Sequence, residues 1–406
     1  MILLLGIITQ TGNGGAIRVW FAQDSLGLRL VEFINGAVSS IDYCCYNSSR
    51  DDVIPALINA YQRGVRVRVI TDDSRLNDVW VARLRAAGIA VWSDSGFSGS
   101  DYMHNKFVVR DLADEDSTND RLWTGSYNPN QDELNADFAL EIDHSGLARA
   151  YRAEFNQMWG SAAGMPVPDS ARFHSRKRDM LVTHRFLING FPVEVYFAPQ
   201  DRLVDSITAQ ASRARQEILF TIFSFTYQSL GQALIERWGE GVRVAGVIDK
   251  SGANSPFSQY PVLREQNIPV LIDSVPFGTG VLHEKLMVID YRTVIAGSAN
   301  WSNNANFNND ENILLIFNPE LAKRFYPEII CRYGEAGGVY PPGIEELPAQ
   351  MVFSSPTRFS RSFRSEPGAM VFDAAGRMVN SGMLNGPGVY FVSENPGKTY
   401  RLVLIR

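Results

Sequence analysis

The sequence is poor in cysteine and histidine and has no excess of positive charge. Its 406 residues include only 3 cysteines and 5 histidines. Cys44, Cys45 and Cys331 are too few and too unevenly placed for a disulfide framework or a cysteine-rich zinc site. A net charge of -6 and an isoelectric point near 5.5 argue against a strongly basic nucleic-acid binder, although a local basic groove is compatible with them. Thiol chemistry is therefore not the expected function.

Long apolar runs are also missing. No stretch approaches the roughly 18 apolar residues of a membrane span, so a soluble mature protein is expected. The apolar start at residues 1–8 is short and lacks the positive region and the cleavage site of a full signal peptide. Two interpretations stay open for it: a signal peptide shortened by the choice of start codon, or simply a first apolar segment.

One stretch combines a histidine, a lysine and an apolar run that suits a buried strand. His283 and Lys285 stand two residues apart at the start of this run, which continues through residues 286–289. Residues two apart on a strand share a face, so the imidazole and the ammonium should project together. Gly-Ser-Ala-Asn at residues 297–300 follows six residues after Asp290 and adds hydrogen-bond donors. An imidazole, an ammonium and an amide that converge on one point suit a phosphate group.

The same pattern occurs earlier in the chain. His104 and Lys106 precede another apolar run, and Gly-Ser-Tyr-Asn occupies residues 125–128. The spacing differs only between Asp111 and Gly125, which are separated by thirteen residues rather than six. We interpret the additional residues as a longer surface loop. Two copies in one chain argue against a chance match.

Both copies resemble the signature of the phospholipase D superfamily, H-x-K-x4-D-x6-G-S-x-N, which usually occurs twice per active unit. The resemblance implies a two-step displacement at phosphorus. One neutral histidine attacks the phosphodiester to form a phosphohistidine, and the other protonates the leaving oxygen; water or an alcohol then attacks, with the second histidine as base. The family's usual order predicts His104 as the nucleophile and His283 as the acid/base. The symmetry of the two copies leaves the reverse assignment open.

The resemblance also implies which side chains surround the phosphate. Those predicted to hold its non-bridging oxygens are Lys106, Lys285, Asn128, Asn300, Ser126 and Ser298. Each histidine should be oriented by a carboxylate, and Glu311 and Asp137 match that role, with Glu141 as the alternative to Asp137. Trp301 is a candidate for contact with an acyl chain or a base, but core packing is the role we favour for it. No metal-binding pattern is recognised, so metal-independent activity without a cofactor is predicted.

The second half of the chain repeats the first. Gly64-Val65-Arg66-Val67 recurs as Gly241-Val242-Arg243-Val244, and Asp72 recurs as Asp249, at a constant separation. Predicted strands and helices alternate throughout. We therefore predict an α/β fold with two pseudo-twofold-related phospholipase D-like α/β sandwich lobes, plus a small C-terminal β module. Each lobe supplies half of the site, so the site should lie at the seam between the lobes and a monomer should suffice.

Five segments make up the predicted organisation. They are an N-terminal lobe (1–165), a linker (166–190), a C-terminal lobe (191–345), a Pro/Ser/Arg-rich linker (346–366) and a small β module (367–406). The first linker ends in the basic cluster Arg172, Arg176, Lys177 and Arg178. We interpret this cluster as a solvated connector, with a role in holding an anionic substrate as the alternative. His144, His174 and His184 lie outside both motifs and are predicted to be surface residues.

The final segment contains three short strand-like stretches, at residues 369–377, 388–392 and 400–406. They resemble the C-terminal sorting domain of the type IX secretion system, with its "vyDlsGr", "pGvYfv" and basic-ended last strand. The resemblance implies contact with the secretion machinery and a secreted or cell-surface location. A small β module without a transport role is the alternative.

The choice of substrate stays open at this stage. A phospholipase D needs an apolar rim that engages a membrane surface, whereas a nuclease needs a positively charged groove. The low isoelectric point and the predicted export favour a phospholipid, with transient contact to a membrane surface. A metal-independent endonuclease acting on DNA or RNA is the close alternative, because residues 297–302 are similar to compact bacterial members that include endonucleases. A non-catalytic cell-surface binding protein would require a degraded site.

Overall fold

This computed structural model describes residues 15–97, 99, 101–130, 135–273 and 280–339, together with strand segments between residues 358 and 405. The apolar start at residues 1–8 lies outside the described residues, as does most of the predicted linker at 346–366. Within the described ranges, none of the helices combines the length and the apolar composition needed to span a bilayer.

The first lobe consists of one sheet and the helices that cover it. Its strands are Ala16–Phe21 (β1), Ser40–Cys45 (β2), Arg66–Thr71 (β3), Ala90–Ser93 (β4), Lys106–Arg110 (β5), Arg121–Gly125 (β6) and Phe138–Asp143 (β7). Its helices are Leu26–Asn35 (α1), Val53–Gln62 (α2), Val79–Ala86 (α3) and Ser145–Trp159 (α4). The strand order is β1-β7-β6-β5-β2-β3-β4, in which β2, β3 and β4 are parallel and the remaining pairs are antiparallel.

The second lobe is built in the same way. Its strands are Arg185–Ile188 (β8), Phe191–Ala198 (β9), Glu217–Ile222 (β10), Arg243–Asp249 (β11), Val270–Asp273 (β12), Lys285–Ile289 (β13), Thr293–Gly297 (β14) and Glu311–Ile316 (β15). Its helices are Leu203–Ala211 (α5), Gln228–Gly239 (α6), Lys250–Ala253 (α7), Gln259–Glu265 (α8), Asn303–Phe307 (α9) and Pro319–Glu335 (α10). The strand order is β12-β11-β10-β13-β14-β15-β9-β8.

The two sheets share one topology. The order β9-β15-β14-β13-β10-β11-β12 repeats the order of the first sheet, and β8 adds a hairpin strand at the edge. The central strands are buried on both faces, which is why β13 consists of an unbroken apolar run after Lys285. The predicted α/β fold with two related lobes is confirmed.

Helices α4 and α10 belong to a central core that the inner faces of both sheets share. The ring of Tyr151 in α4 lies 5.1 Å from that of Phe107 in its own lobe and 5.0 Å from that of Phe197 in the other lobe. Phe325 in α10 contacts Phe21 of the first lobe at 5.5 Å. Helices α1–α3 and α5–α9 cover the outer faces in two separate cores. Each lobe therefore inserts aromatic side chains into the other, which fixes the seam.

The C-terminal segment forms short strands of its own. They are Arg358–Ser360 (β16), Phe363–Arg364 (β17), Met370–Asp373 (β18), Met378–Val379 (β19), Met383–Leu384 (β20), Gly388–Asn395 (β21) and Thr399–Ile405 (β22). A five-stranded sheet has the order β16-β22-β21-β18-β19, and β17 pairs with β20. Strands β16 and β17 thus lie within the residues predicted as a linker. The sorting role of this segment stays a prediction.

Candidate active site at the seam

The two histidine–lysine pairs stand at the starts of equivalent strands. Lys106 begins β5 and Lys285 begins β13, each two residues after its histidine. The Lys106 Nζ atom donates to the carbonyl oxygen of His104 at 2.7 Å, and Lys285 Nζ donates to that of His283 at 2.5 Å. Both lysine side chains are almost fully buried. Each ammonium is therefore fixed beside its imidazole.

Each imidazole is held by a carboxylate from the opposite lobe. Glu311 Oε1 lies 2.8 Å from Nδ1 of His104, and Asp137 Oδ1 lies 2.9 Å from Nδ1 of His283. A carboxylate at Nδ1 fixes the orientation of the ring and leaves Nε2 for chemistry. Glu141, the alternative to Asp137, instead pairs with Arg18.

Main-chain hydrogen bonds also join the two lobes beside each histidine. The N–H of His104 donates to the carbonyl oxygen of Asp310 at 3.0 Å, and the N–H of His283 donates to that of Ala136 at 2.9 Å. Met103 forms a β-bridge with Asp310, and Ala136 forms one with Leu282, so the two lobes contact each other beside both histidines. The structure thus brings both motifs of one chain into a single site.

The serines of the two motifs hold the carboxylates rather than facing the pocket. The hydroxyl of Ser126 donates to Asp137 at 2.6 Å, and that of Ser298 donates to Glu311 at 2.6 Å. Both serines are fully buried. The prediction that they contact the substrate is therefore wrong, because each hydroxyl hydrogen is already committed to a carboxylate oxygen.

Asn128 and Asn300 occupy equivalent positions at the ends of the two motifs and are half-buried. In this described part of the site, the Oδ1 atoms of both amides are buried without a hydrogen-bond partner. The nitrogen and oxygen of an asparagine amide can exchange places by rotation of the side chain. Both amides are therefore free to turn toward a bound oxyanion.

Trp301 is a core residue. It is 1% exposed, and its ring contacts Phe220 at 5.4 Å and Phe225 at 5.1 Å. This burial agrees with the packing role favoured for Trp301 and does not agree with contact between its ring and the substrate.

Two aromatic residues of the site were not predicted from the sequence. The ring of Tyr46 lies 5.1 Å from that of His104, and the ring of Phe223 lies 5.3 Å from that of His283. The two lysine Nζ atoms lie 5.5 and 5.1 Å from the same ring centroids. The signal was available, because the internal repeat places Phe223 at the position of Tyr46. These rings form equivalent walls of the pocket and contact its cations by their π faces.

Burial dominates the electrostatics of the pocket. It lowers the pKa of His104 to about 4, although Glu311 opposes this shift. Burial and the neighbouring Lys285 lower the pKa of His283, and burial lowers that of Lys285 to about 7. Burial alone would raise the pKa of Glu311, but His104 and Lys106 outweigh it and lower that pKa. A bound anion would reverse the shifts of the cations, so these side chains suit a phosphate.

The basic end of the first linker is solvated only in part, because Arg176 and Arg178 are exposed whereas Lys177 is buried. His174 and Lys177 are buried, at 2% and 6% exposure, and their side chains contact carboxylates of both lobes. The surface position predicted for His174 is therefore wrong, as is the solvated position of Lys177. His144 caps helix α4 by accepting from the N–H of Leu147, and His184 is half-buried.

Two groups of acidic and histidine side chains lie close enough together to hold a cation. They are Asp72, Asp73 and Asp94, and Asp179, His184 and Asp201. Backbone N–H groups already donate to Asp72 and Asp94. Both ring nitrogens of His184 contact acceptors, namely the Val195 carbonyl oxygen and Asp179. These groups are therefore already paired within the protein, and neither is preorganised for a metal.

Comparisons with known proteins agree with this geometry. The family model described as "Cardiolipin synthase, PLD-like domain" matches residues 30–159 and 207–329, that is, both lobes. A phospholipase D of Rickettsia bellii is 31% identical over 145 residues, which cover 36% of this chain and 71% of that protein. A mitochondrial cardiolipin hydrolase of Xenopus laevis is 34% identical over 140 residues, covering 34% of this chain and 62% of that protein.

A solved structure supports the arrangement of the lobes. The phosphatidylserine synthase of Haemophilus influenzae superposes with a TM-score of 0.59 at 14% identity, covering 83% of this chain and 92% of that one. At this identity the likeness concerns the fold alone. With both lobes matched by one family model, the chain belongs to the family of phospholipase D-like domains that includes the cardiolipin synthases.

Proposed function

We propose that the chain is a phospholipase D-type phosphodiesterase that works through a phosphohistidine intermediate. The observation that carries the proposal is the crossed arrangement of the two imidazoles, each bound at Nδ1 by a carboxylate of the other lobe. This arrangement leaves the Nε2 atom of each histidine for chemistry, and a buried lysine ammonium is fixed on the carbonyl oxygen of each histidine. Acid–base chemistry on both sides of one phosphorus atom requires this geometry.

In the first step, Nε2 of neutral His104 attacks phosphorus and forms a P–N bond. The bond between phosphorus and the leaving oxygen breaks, and that oxygen takes the proton of His283. In the second step, His283 accepts a proton from water, the water oxygen attacks phosphorus, and the P–N bond breaks. The low pKa of His104, about 4, favours the neutral form that a nucleophile needs. Lys106, Lys285 and the two asparagine amides would stabilise the charge on the non-bridging oxygens.

We propose phospholipid as the substrate and an endonuclease activity as the alternative. The relatives named phospholipase D and cardiolipin hydrolase support a lipid. Apolar exposure beside the site also supports it: Tyr102 and Val281, each two residues before a catalytic histidine, are 45% and 37% exposed. Such side chains can contact acyl chains or a membrane surface.

A side-by-side assay in excess EDTA tests the proposal. The substrates are phosphatidylcholine vesicles, single-stranded DNA and bis-p-nitrophenyl phosphate. We expect choline and p-nitrophenol to be released at rates that the chelator leaves unchanged, because the proposed nucleophile and acid are side chains. The His104→Ala variant is the matched control and should release neither. Cleavage of DNA without release of choline would overturn the lipid substrate, and loss of activity in EDTA would overturn metal independence.

The pH dependence of kcat/KM should have its maximum on the acid side of neutrality. The reacting form needs neutral His104, whose pKa is lowered to about 4, and protonated His283, whose pKa is lowered below its ordinary value of 6.5. As the pH rises through the lowered pKa of His283, the acid is lost, and Lys285 loses its charge near pH 7. Measurement of kcat/KM for bis-p-nitrophenyl phosphate across the pH range checks this. A plateau that persists well above neutral pH would contradict it.

A further inference from the structure

The two halves of the site differ in the residue whose backbone carbonyl accepts from the N–H of the catalytic histidine. On the His104 side, the equivalent of Ala136 is Asp310, whose backbone carbonyl accepts the N–H of His104 at 3.0 Å. The Asp310 side chain is fully buried and points toward the linker between the lobes. The His283 side has only the methyl group of Ala136 at this position. Within the described part of the chain, an aspartate at this position therefore supports His104 and not His283.

A histidine from the linker connects the carboxylates on the two sides of the His104 loop. Nε2 of His174 lies 3.0 Å from Oδ2 of Asp94 in the first lobe. Its Nδ1 lies 3.3 Å from Oδ2 of Asp310 in the second lobe, and its backbone N–H donates to Oδ1 of Asp310 at 2.8 Å. His174 thus contacts both lobes through one buried ring.

Both of these aspartates accept hydrogen bonds from the main chain that carries His104. Oδ2 of Asp94 accepts from the N–H of Met103 at 3.2 Å, and the backbone of Asp310 accepts from the N–H of His104. Asp72 also accepts from Met103, at 3.0 Å. Two consecutive amides at the catalytic histidine are therefore held by groups that His174 ties together.

The charges that face His174 favour its protonated form. Burial by itself would lower its pKa, but Asp310 and Asp94 outweigh both burial and the nearby cation Lys177, and the pKa of His174 is raised. Lys177 contacts Asp310 at 2.9 Å and does not reach Asp94 by any contact found in the described structure. Protonated His174 is therefore the cation that spans both carboxylates.

We propose that His174 is a positioning residue for catalysis: its ring, clamped between Asp94 and Asp310, holds the loop that carries His104 in its reactive position. The proposal rests on the phosphodiesterase function proposed above. It concerns the His104 half of the site, since no corresponding clamp is found beside His283 among the residues that the structure describes. A shift of a catalytic group by as little as ~1 Å can cost a factor on the order of 100 in rate.

The test compares full-length His174→Gln and His174→Lys variants with the wild type, using bis-p-nitrophenyl phosphate. His184→Gln is the matched control, because it removes a half-buried histidine of the same linker that contacts Asp179. We expect His174→Gln to lower kcat roughly 10- to 100-fold with KM within about twofold. His184→Gln should leave both constants near the wild-type values.

The pH dependence separates positioning by charge from a simple structural defect. The pKa of His174 is raised in the folded protein. Above the pH that equals this pKa, the wild type loses the positive charge of the ring. The ratio of wild-type kcat to His174→Gln kcat should therefore be largest above the raised pKa of Asp94 and below that of His174, and it should fall as the pH rises through the pKa of His174. The ratio cancels the titration of His104 and His283, which both proteins share. His174→Lys carries a fixed cation and should retain more activity than His174→Gln at every pH.

Hydrogen–deuterium exchange provides a readout that does not depend on turnover. His174→Gln should accelerate exchange of the amides of Met103 and His104 and leave those of Leu282 and His283 unchanged. A pH-independent activity ratio, an equal loss in His184→Gln, or equal acceleration in both loops would overturn the positioning role. A wild type that fails to cleave bis-p-nitrophenyl phosphate would refute the proposed function instead, and the exchange measurement would still decide whether His174 holds the His104 loop.

Discussion

Alanine in place of either His104 or His283 is expected to lower turnover by a factor of about 10,000 or more. Without the first imidazole no phosphohistidine forms, and without the second the leaving oxygen departs unprotonated. Because the two side chains act in one reaction sequence, the double variant should be hardly worse than either single variant. Single-turnover measurements with bis-p-nitrophenyl phosphate check both expectations.

Controls separate this chemical effect from damage to the fold. His184→Ala removes an imidazole outside the site and should keep nearly full activity. The melting temperatures of His104→Ala and His283→Ala should stay close to that of the wild type, because both rings border the pocket and are 14% and 13% exposed. A double variant far slower than each single variant would mean that the histidines act independently, against the shared mechanism.

Lys177→Met is expected to destabilise the fold by roughly 3–5 kcal/mol, the usual cost of removing one partner from a buried ion pair. The Lys177 ammonium contacts Asp310 at 2.9 Å and also Glu154, and all three side chains are buried. Methionine keeps the length of the side chain and removes the cation that Glu154 and Asp310 share, although His174 still contacts Asp310. Thermal unfolding at neutral pH measures the loss.

Both pKa values of this pair are raised, which disfavours the charged form of Glu154 and favours the charged form of Lys177. Burial raises the pKa of Glu154, whereas Asp310 and Glu154 together raise that of Lys177 despite its burial. Lys177 determines the stability of the ion pair, because its ammonium contacts two carboxylates and stays charged at neutral pH. Arg178→Met is the matched control, since Arg178 is the exposed neighbour of Lys177, and it should change stability by no more than about 0.5 kcal/mol. Equal losses in both variants would contradict the buried ionic network.

The fold and the composition of the site could be predicted because their signals are local. Apolar runs such as residues 286–289 define buried strands, and the spacing between His283 and Lys285 follows from the alternation of side chains along a strand. The internal repeat then supplied the second lobe. These features can be predicted from residues that are neighbours in the chain.

The remaining features depend on contacts between distant segments. That Glu311 orients His104, and not the histidine of its own lobe, follows from how the lobes dock. The burial of Lys177 could not be predicted for the same reason, because its partner Asp310 lies far away in the sequence. A short basic cluster is, by itself, typical of a solvated surface. The position of Trp301 next to Asn300 likewise suggested contact with the substrate as a second role, whereas the fold packs its ring in the core.

The exchange of carboxylates between the lobes has a consequence for biogenesis. A half-folded chain, or one lobe severed from its twin, would carry an imidazole without the acid that sets its tautomer. Such a species could bind an anion but would be a poor catalyst. Phosphodiester hydrolysis would therefore begin only after both lobes have folded and docked. This order of events would protect the cell that makes the protein from premature cleavage of its own phosphodiesters.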